Sequence, residues 1–351
     1  NMLNAVYRLV APRRFEVEFT DIDLCSGAVI VRPTHLSICN ADQRYYQGKR
    51  ANDILRKKLP MALIHEGIGE VVYDPEGEFA AGERVVMIPN TPKQIAEDMT
   101  GVADGNVVAE NYRLDSRFRA SGFDGFMQDV VDIRRDRLIR LPKGIDPCVA
   151  AFTEIVTVSV HALSRFDEIA HKKREAVGVW GDGNLGYITS LLFKAMFPET
   201  KLYVFGLNRD KLSDFTFADD TFLVTHIPAG LEFDHAFECV GGEGSPKAIN
   251  QIIDNILPEG TISILGVSEN EAAINTRMML EKGLRMFGSS RSGRGDFIRT
   301  VELYQSNPEI PAYLQNLIGV RMRVRTIEDM KKAFEADIYK EFGKTIMIWE
   351  A

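Results

Sequence analysis

The stretch "VGVWGDGNLGYITSLL", residues 177–192, restricts this chain more than any other. A β-branched run ends at Gly181, and Gly183 and Gly186 complete a GxGxxG pattern that opens an apolar, helix-length segment. In that setting the glycines allow a tight turn, close approach of backbone to a pyrophosphate, and close packing of helix on strand. The helix start, with Asn184 and Leu185 among its first amides, turns its partial positive charge toward phosphate. The runs "AVGVW", "KLYVFG", "DHAFECVG" and "GTISILGV" alternate with segments such as "GYITSLLFKAMF" and "SPKAINQIIDNI". Apolar strands alternating with helices predict a doubly wound parallel sheet, an α/β dinucleotide-binding domain.

The end of the second strand selects the nucleotide. About 20 residues after Gly186 an NAD-binding domain carries an acid for the ribose 2′-hydroxyl. Here "VFGLNRDKL" places Gly206 in that position, followed by Asn208, Arg209 and Lys211. Loss of the carboxylate and gain of cations favour a 2′-phosphate, with Arg209 the better match to phosphate geometry. The competing reading is that Arg209 and Lys211 are solvated charges at a helix start.

Ahead of this domain the chain reads as short strands and turns, among them "AVIVRPTHLSI" and "ERVVMIPN". The polar stretch from Pro92 to Asn111 is expected to be a surface excursion. After about residue 293 the alternation stops; Thr326 and Asp329 are spaced as a capping box ahead of Met330, Ala333 and Phe334, and "KTIMIW" closes as a strand. With 351 residues, two domains are expected. Lys plus Arg number 42 against 50 Asp plus Glu, a net charge of −8, which argues against a general nucleic-acid or membrane-surface binder. No apolar run approaches ~18 residues, so no membrane span is expected. The start lacks a basic segment followed by an apolar core, so no secretion signal is read, and "NM" suggests Met2 as the native first residue. Cys25, Cys39, Cys148 and Cys239 are far apart and form no CxxC pair, which fits a reduced, cytoplasmic protein.

The segment "LIHEGIGEV", residues 63–71, sets His65 and Glu66 among residues apolar enough for a buried strand. A histidine there is either a core side chain satisfied by a hydrogen bond or a metal ligand. Cys39 upstream and Glu154 downstream, in "SICNADQRYYQG" and "FTEIVTVSVHAL", offer further donors, and spacing alone does not decide between the readings.

Taken with the glycine motif, these segments resemble the zinc-dependent medium-chain dehydrogenase/reductase superfamily. The resemblance implies a mostly-β GroES-like catalytic domain, residues 1–155 and 293–351, around a Rossmann domain with a parallel sheet, residues 156–292. It implies one catalytic zinc held by Cys39, His65 and Glu154, with Glu66 as an outer or transient ligand and Asp42 as a supporting carboxylate. Tyr45 falls where sorbitol-dehydrogenase-like members place an active-site tyrosine. Such a zinc acts as a Lewis acid toward the carbonyl that accepts hydride. His161 and His171 are read as structural, and His35 has no assigned place. Ala41 departs from the family's usual Ser or Thr in proton transfer, which leaves Tyr45, Glu66 or a water for that role, and Asn40 also departs from the usual residue. The four-cysteine lobe that holds a structural zinc has no counterpart in residues 90–111.

Within the superfamily, "MALIHEGIGEVV", "VMIPNTP", "WGDGNLGYI", "FDHAFECVGG" and "GSSRSG" are similar to the ribulose-5-phosphate reductases of teichoic-acid and capsule synthesis. That similarity implies NADPH-dependent reduction of D-ribulose 5-phosphate to D-ribitol 5-phosphate, with a ribitol-5-phosphate cytidylyltransferase as partner enzyme. Arg44 and Arg291 are candidates for the substrate phosphate, with Arg294 nearby in sequence; each is otherwise a surface charge. A homodimer is expected by pairing of Rossmann edge strands, a role for which "TISILGV" is apolar enough. The alternatives are another zinc-dependent polyol or alcohol dehydrogenase, and a non-catalytic NADP(H)-binding protein.

Overall fold

The computed structural model describes residues 1–93 and 108–351, so most of the expected Pro92–Asn111 excursion lies outside the described residues. The chain divides into two compact units, Asn1–Ile155 with Ser292–Ala351, and Val156–Arg291.

The second unit is a doubly wound α/β fold. Its six-stranded sheet runs Asp220–Leu223, Lys201–Gly206, Ala176–Trp180, His235–Glu238, Thr261–Ile264, Arg285–Gly288, every neighbour parallel. The strand order reverses between Ala176–Trp180 and His235–Glu238, the point at which such sheets open a crevice for dinucleotides. Trp180 stacks on Phe205 at 3.8 Å between ring centroids, and Phe233, Ile249, Ile252 and Ile253 join the same core. Helix Ser245–Asn255 buries Ala248, Ile249, Ile252 and Ile253, the i, i+1, i+4, i+5 stripe of a helix lying on a sheet. The expectation that "TISILGV" forms the edge strand is corrected here: Thr261–Ile264 is paired on both sides, and the edges are Asp220–Leu223 and Arg285–Gly288. The apolar character of that run reflects an interior strand buried on both faces.

The first unit is mostly β, the GroES-like architecture. Its main sheet orders Ile318–Val324, Lys344–Trp349, Val29–Ile38, Glu66–Tyr73, Arg84–Met87 and Leu138–Arg140, with Val131–Ile133 also pairing Val29–Ile38. A separate two-stranded sheet joins Met2–Ala11 to Arg14–Ile22. Leu9, Val31, Leu36, Met87, Phe126 and Phe334 lie in its core. Strand register brings distant polar residues together. Ser37 faces Glu66 and Ile38 faces Thr345, so Cys39, Glu66 and Lys344 gather at one end of three adjacent strands. Helix Ile327–Tyr339 opens with the expected capping box, Asp329 N donating to Thr326 Oγ1 at 3.1 Å.

The expectation of a continuous strand through "LIHEGIGEV" is also corrected. The strand begins at Glu66, and Ile64 before it takes a left-handed φ of 74°. That conformation is costly for a β-branched residue, so its surroundings must hold it. They do: Ile64 N donates to Asp42 Oδ1 at 2.9 Å and Ile64 O accepts from Phe126 N at 2.8 Å. Gly125 permits this approach, because a Cβ there would lie 2.3 Å from Ile64 O.

Among the described residues, no helix is long and apolar enough to cross a membrane.

Candidate active site

His65 is the centre of the first unit's polar cluster. Its Nε2 lies 3.6 Å from Cys39 Sγ and 3.6 Å from Glu154 Oε2. Cys39 precedes the short helix Asn40–Tyr46, and Glu154 opens the helix Thr153–Ile169. Two sets of candidate ligand atoms, Cys39/Asp42/His65 and His65/Glu66/Glu154, each lie within 4.8 Å of one another. A tetrahedral ion with ordinary zinc bond lengths separates sulfur from nitrogen by about 3.5 Å and nitrogen from oxygen by about 3.4 Å. The pairs Cys39–His65 and His65–Glu154 therefore each suit zinc in chemistry and spacing, while Cys39 and Glu154 fall in separate clusters that share His65.

The supporting groups explain why these side chains are held. Asp42 is buried and divides its carboxylate: Oδ2 accepts from Cys39 N at 3.0 Å while Oδ1 takes Ile64 N. One residue thus ties the cysteine segment to the residue before His65. The Phe118 ring packs on the His65 imidazole at 5.1 Å. Burial, then the charges of Asp42 and Glu66, push the Cys39 thiol well above the usual thiol range.

Glu66 is 1% exposed, and Lys344, only 2% exposed, places its Nζ 2.9 Å from Glu66 Oε2. Burial alone would pull the Lys344 ammonium down, but Glu66 and Cys39 outweigh it and hold it above its ordinary range. Sequence reasoning misses Lys344; its one signal is a charge at the head of the apolar run "KTIMIW". Tyr45 is buried, its hydroxyl has no hydrogen-bond partner among the described residues, and Arg50 lies 4.9 Å over its ring. Arg44 is half-buried on the same helix. Arg291, exposed with a left-handed φ of 59°, ends the second unit, while Arg294 opens helix Arg294–Ser306 in the first. Of the remaining histidines, His161 is buried on helix Thr153–Ile169 and His171 packs on His235 at 4.2 Å. His35 lies 3.1 Å from Thr34 Oγ1.

In the second unit, Gly181 takes a φ of 135° directly after strand Ala176–Trp180, and a Cβ there would lie 2.7 Å from Cys239 O. Gly186 packs so tightly that a Cβ would sit 2.0 Å from Gly181 O. A Cβ on Gly183 would meet nothing within 4 Å among the described residues, which leaves room ahead of the Asn184–Met196 helix start for a phosphate group. This cradle fits a dinucleotide pyrophosphate. Gly206 ends strand Lys201–Gly206; Asn208 and Arg209 are exposed and Lys211 half-buried.

Residues 26–143 match the alcohol dehydrogenase GroES-like domain and residues 214–306 the zinc-binding dehydrogenase domain. The chain is 54% identical over 349 residues to the ribulose-5-phosphate reductase of Bacillus spizizenii, covering 99% of this chain and 100% of that relative. It is 53% identical to ribulose-5-phosphate reductase 1 of Staphylococcus aureus, covering 99% of each chain. Its fold matches the crystal structure of S. aureus TarJ in complex with NADPH, with TM-score 0.88 and 49% identity over 100% of both chains.

Proposed function

From the premise that this chain belongs to the zinc-binding dehydrogenases with a GroES-like domain, we propose that it is an NADPH-dependent ribulose-5-phosphate reductase, making D-ribitol 5-phosphate for teichoic-acid or capsule synthesis. The observation that carries the substrate is identity of 54% along the whole chain to a ribulose-5-phosphate reductase. The 3.6 Å spacings of His65 Nε2 from Cys39 Sγ and from Glu154 Oε2 support the chemistry.

We assign nucleotide binding to residues 156–292 and metal chemistry to residues 1–155 and 293–351. Cys39, His65 and Glu154 would hold one catalytic zinc, with no structural zinc. Bound there, zinc supplies Lewis acidity toward the substrate ketone, and NADPH supplies the hydride. The chain's own residues do the rest. Asp42 holds the Cys39 and His65 segments in place. Lys344 keeps Glu66 paired, so that the carboxylate adds no uncompensated charge to a site that already contains Cys39 and Glu154. Tyr45 Oη, buried and without a partner among the described residues, is assigned to the substrate hydroxyls and to the proton that the new alkoxide takes up, in place of the hydroxyl missing at Ala41. Gly181, Gly183, Asn184, Leu185 and Gly186 would receive the pyrophosphate, and Gly206, Asn208, Arg209 and Lys211 the 2′-phosphate end. Arg44 and Arg291 are assigned to the 5-phosphate of the sugar.

Four free cysteines and a sugar-phosphate substrate support a cytoplasmic site of action, where a ribitol-5-phosphate cytidylyltransferase would take the product. The open edge at Arg285–Gly288 supports a homodimer.

The deciding experiment follows NADPH oxidation by nicotinamide absorbance with ribulose 5-phosphate, unphosphorylated ribulose, and NADH in place of NADPH, before and after chelation. Oxidation specific to ribulose 5-phosphate, abolished by chelation and restored by zinc, is expected. Equal rates with unphosphorylated ribulose would point to a general polyol dehydrogenase, and no turnover by zinc-loaded protein to a non-catalytic nucleotide binder.

A further inference from the structure

Asp182, inside the glycine motif, has a role that the motif's spacing does not reveal. Its Oδ2 accepts from Leu207 N at 2.8 Å and from Asn208 N at 2.9 Å, the two amides that begin the turn after strand Lys201–Gly206. Asn208 continues the chain of contacts, its Oδ1 accepting from Asp210 N at 2.9 Å and Lys211 N at 3.1 Å. One carboxylate therefore fixes the turn from which Arg209 and Lys211 project.

The same carboxylate fills the space beside Gly206. A Cβ built on Gly206 would lie 2.7 Å from Asp182 Cβ, 2.8 Å from its Oδ2 and 3.0 Å from its Cγ. Gly206 is buried and its φ lies outside the left-handed region, so the backbone there accepts a side chain and the neighbour does not. An acid at position 206 and the aspartate at 182 exclude one another.

We propose that Asp182 and Gly206 form a lock that selects a 2′-phosphorylated dinucleotide. Asp182 bars from position 206 the carboxylate that would take an unphosphorylated ribose, and it pins the turn that carries the cations. It is a positioning residue, acting through the Leu207 and Asn208 amides. The lock rests on the proposed function, in which the end of strand Lys201–Gly206 receives the adenosine side of NADPH. Its consequence is specific: installing an acid at 206 does not by itself convert the cofactor preference, because residue 182 must change too.

The test is calorimetric binding of NADPH and NADH, with nucleotide-free melting temperatures, for the wild type, Gly206→Asp, Asp182→Gly, Asp182→Asn and the double variant Asp182→Gly/Gly206→Asp. Gly206→Asp is expected to melt earlier and to lose NADPH affinity without gaining NADH affinity. The double variant recovers the melting temperature and binds NADH about tenfold more tightly than Gly206→Asp does. Asp182→Gly loses about tenfold in NADPH affinity, as befits two amides left without their acceptor, and Asp182→Asn, which keeps an acceptor oxygen, restores it. A Gly206→Asp protein that exchanges NADPH for NADH at an unchanged melting temperature overturns the lock, as does Asp182→Gly binding NADPH like the wild type. Equal affinity of the wild type for both nucleotides would instead refute the NADPH assignment. The melting temperatures of the single and double variants would then still decide whether positions 182 and 206 compete for one space.

Discussion

Replacing Lys344 by Met tests the charge balance of the active site directly. Lys344 and Glu66 are 2% and 1% exposed, and their charged atoms lie 2.9 Å apart. Removing one partner of such a buried pair leaves a desolvated charge without its direct partner, which costs about 3–5 kcal/mol. A unit of this size shifts its melting temperature by about 2–4 °C per kcal/mol, so Lys344→Met should melt about 10 °C below the wild type. The double variant Glu66→Gln/Lys344→Met removes both charges at nearly constant shape, and its cost should fall to about 1–2 kcal/mol. Differential scanning calorimetry of zinc-loaded wild type, both single variants and the double variant at pH 7 closes the thermodynamic cycle. A coupling of at least about 2 kcal/mol is expected. The reasoning fails if Lys344→Met melts within about 2 °C of the wild type, or if the double variant is no more stable than Lys344→Met.

Three further outcomes are expected. Asp42→Asn turns one of two acceptor oxygens into a donor facing an N–H, so zinc affinity by chelator competition should fall about 10- to 100-fold, and unchanged retention would contradict the role given to Asp42. Arg44→Ala and Arg291→Ala should each raise KM for ribulose 5-phosphate about tenfold or more with little change in kcat; if neither KM moves, the phosphate assignment is wrong. His235 sets an acid limit on the second unit. Burial, then the neighbouring His171, lower its imidazole to about 4; its Nε2 lies 3.1 Å from His171 O, and its Nδ1 accepts from Thr261 N at 3.1 Å. The folded value lies below the unfolded value of about 6.5, so the unfolded chain takes up the proton first as pH falls. The contribution is intact above about pH 6.5 and is lost toward pH 4, amounting to about 3 kcal/mol. Urea unfolding followed by Trp180 fluorescence in a Trp349→Phe background should show this decline, and His235→Gln should flatten it.

What was legible in the sequence was local. The glycines from 181 to 186 carry their meaning in five residues of spacing between strand and helix, and the capping box at Thr326 is equally self-contained. Cys39, His65 and Glu154 became candidates through their order relative to that motif and a family likeness, and the fold places their ligand atoms in overlapping clusters around His65. The illegible parts depend on register. Lys344 reaches Glu66 because Ile38 pairs with Thr345 while Ser37 pairs with Glu66, and no periodicity in "KTIMIW" announces a distant carboxylate. Ile64 reads as a strand residue, yet hydrogen bonds to Asp42 and Phe126 override its propensity. Strands Asp220–Leu223 and Arg285–Gly288 each begin on an exposed charge and bury no residue fully, so no apolar run marks them.

The pairing of Val29–Ile38 with Lys344–Trp349 also bears on how the protein is made. Ile38 meets its partner Thr345 about 300 residues later in the chain, among the longest loops a β pairing can be asked to close. The nucleotide-binding unit lies wholly within that loop, and all six of its strands are complete once Gly288 has been synthesised. During synthesis it can fold while the catalytic sheet still waits for its last strand to arrive. A chain that stops short of Lys344 would therefore carry a folded nucleotide-binding unit beside an open sheet edge at Val29–Ile38, prone to aggregation and lacking the ammonium opposite Glu66.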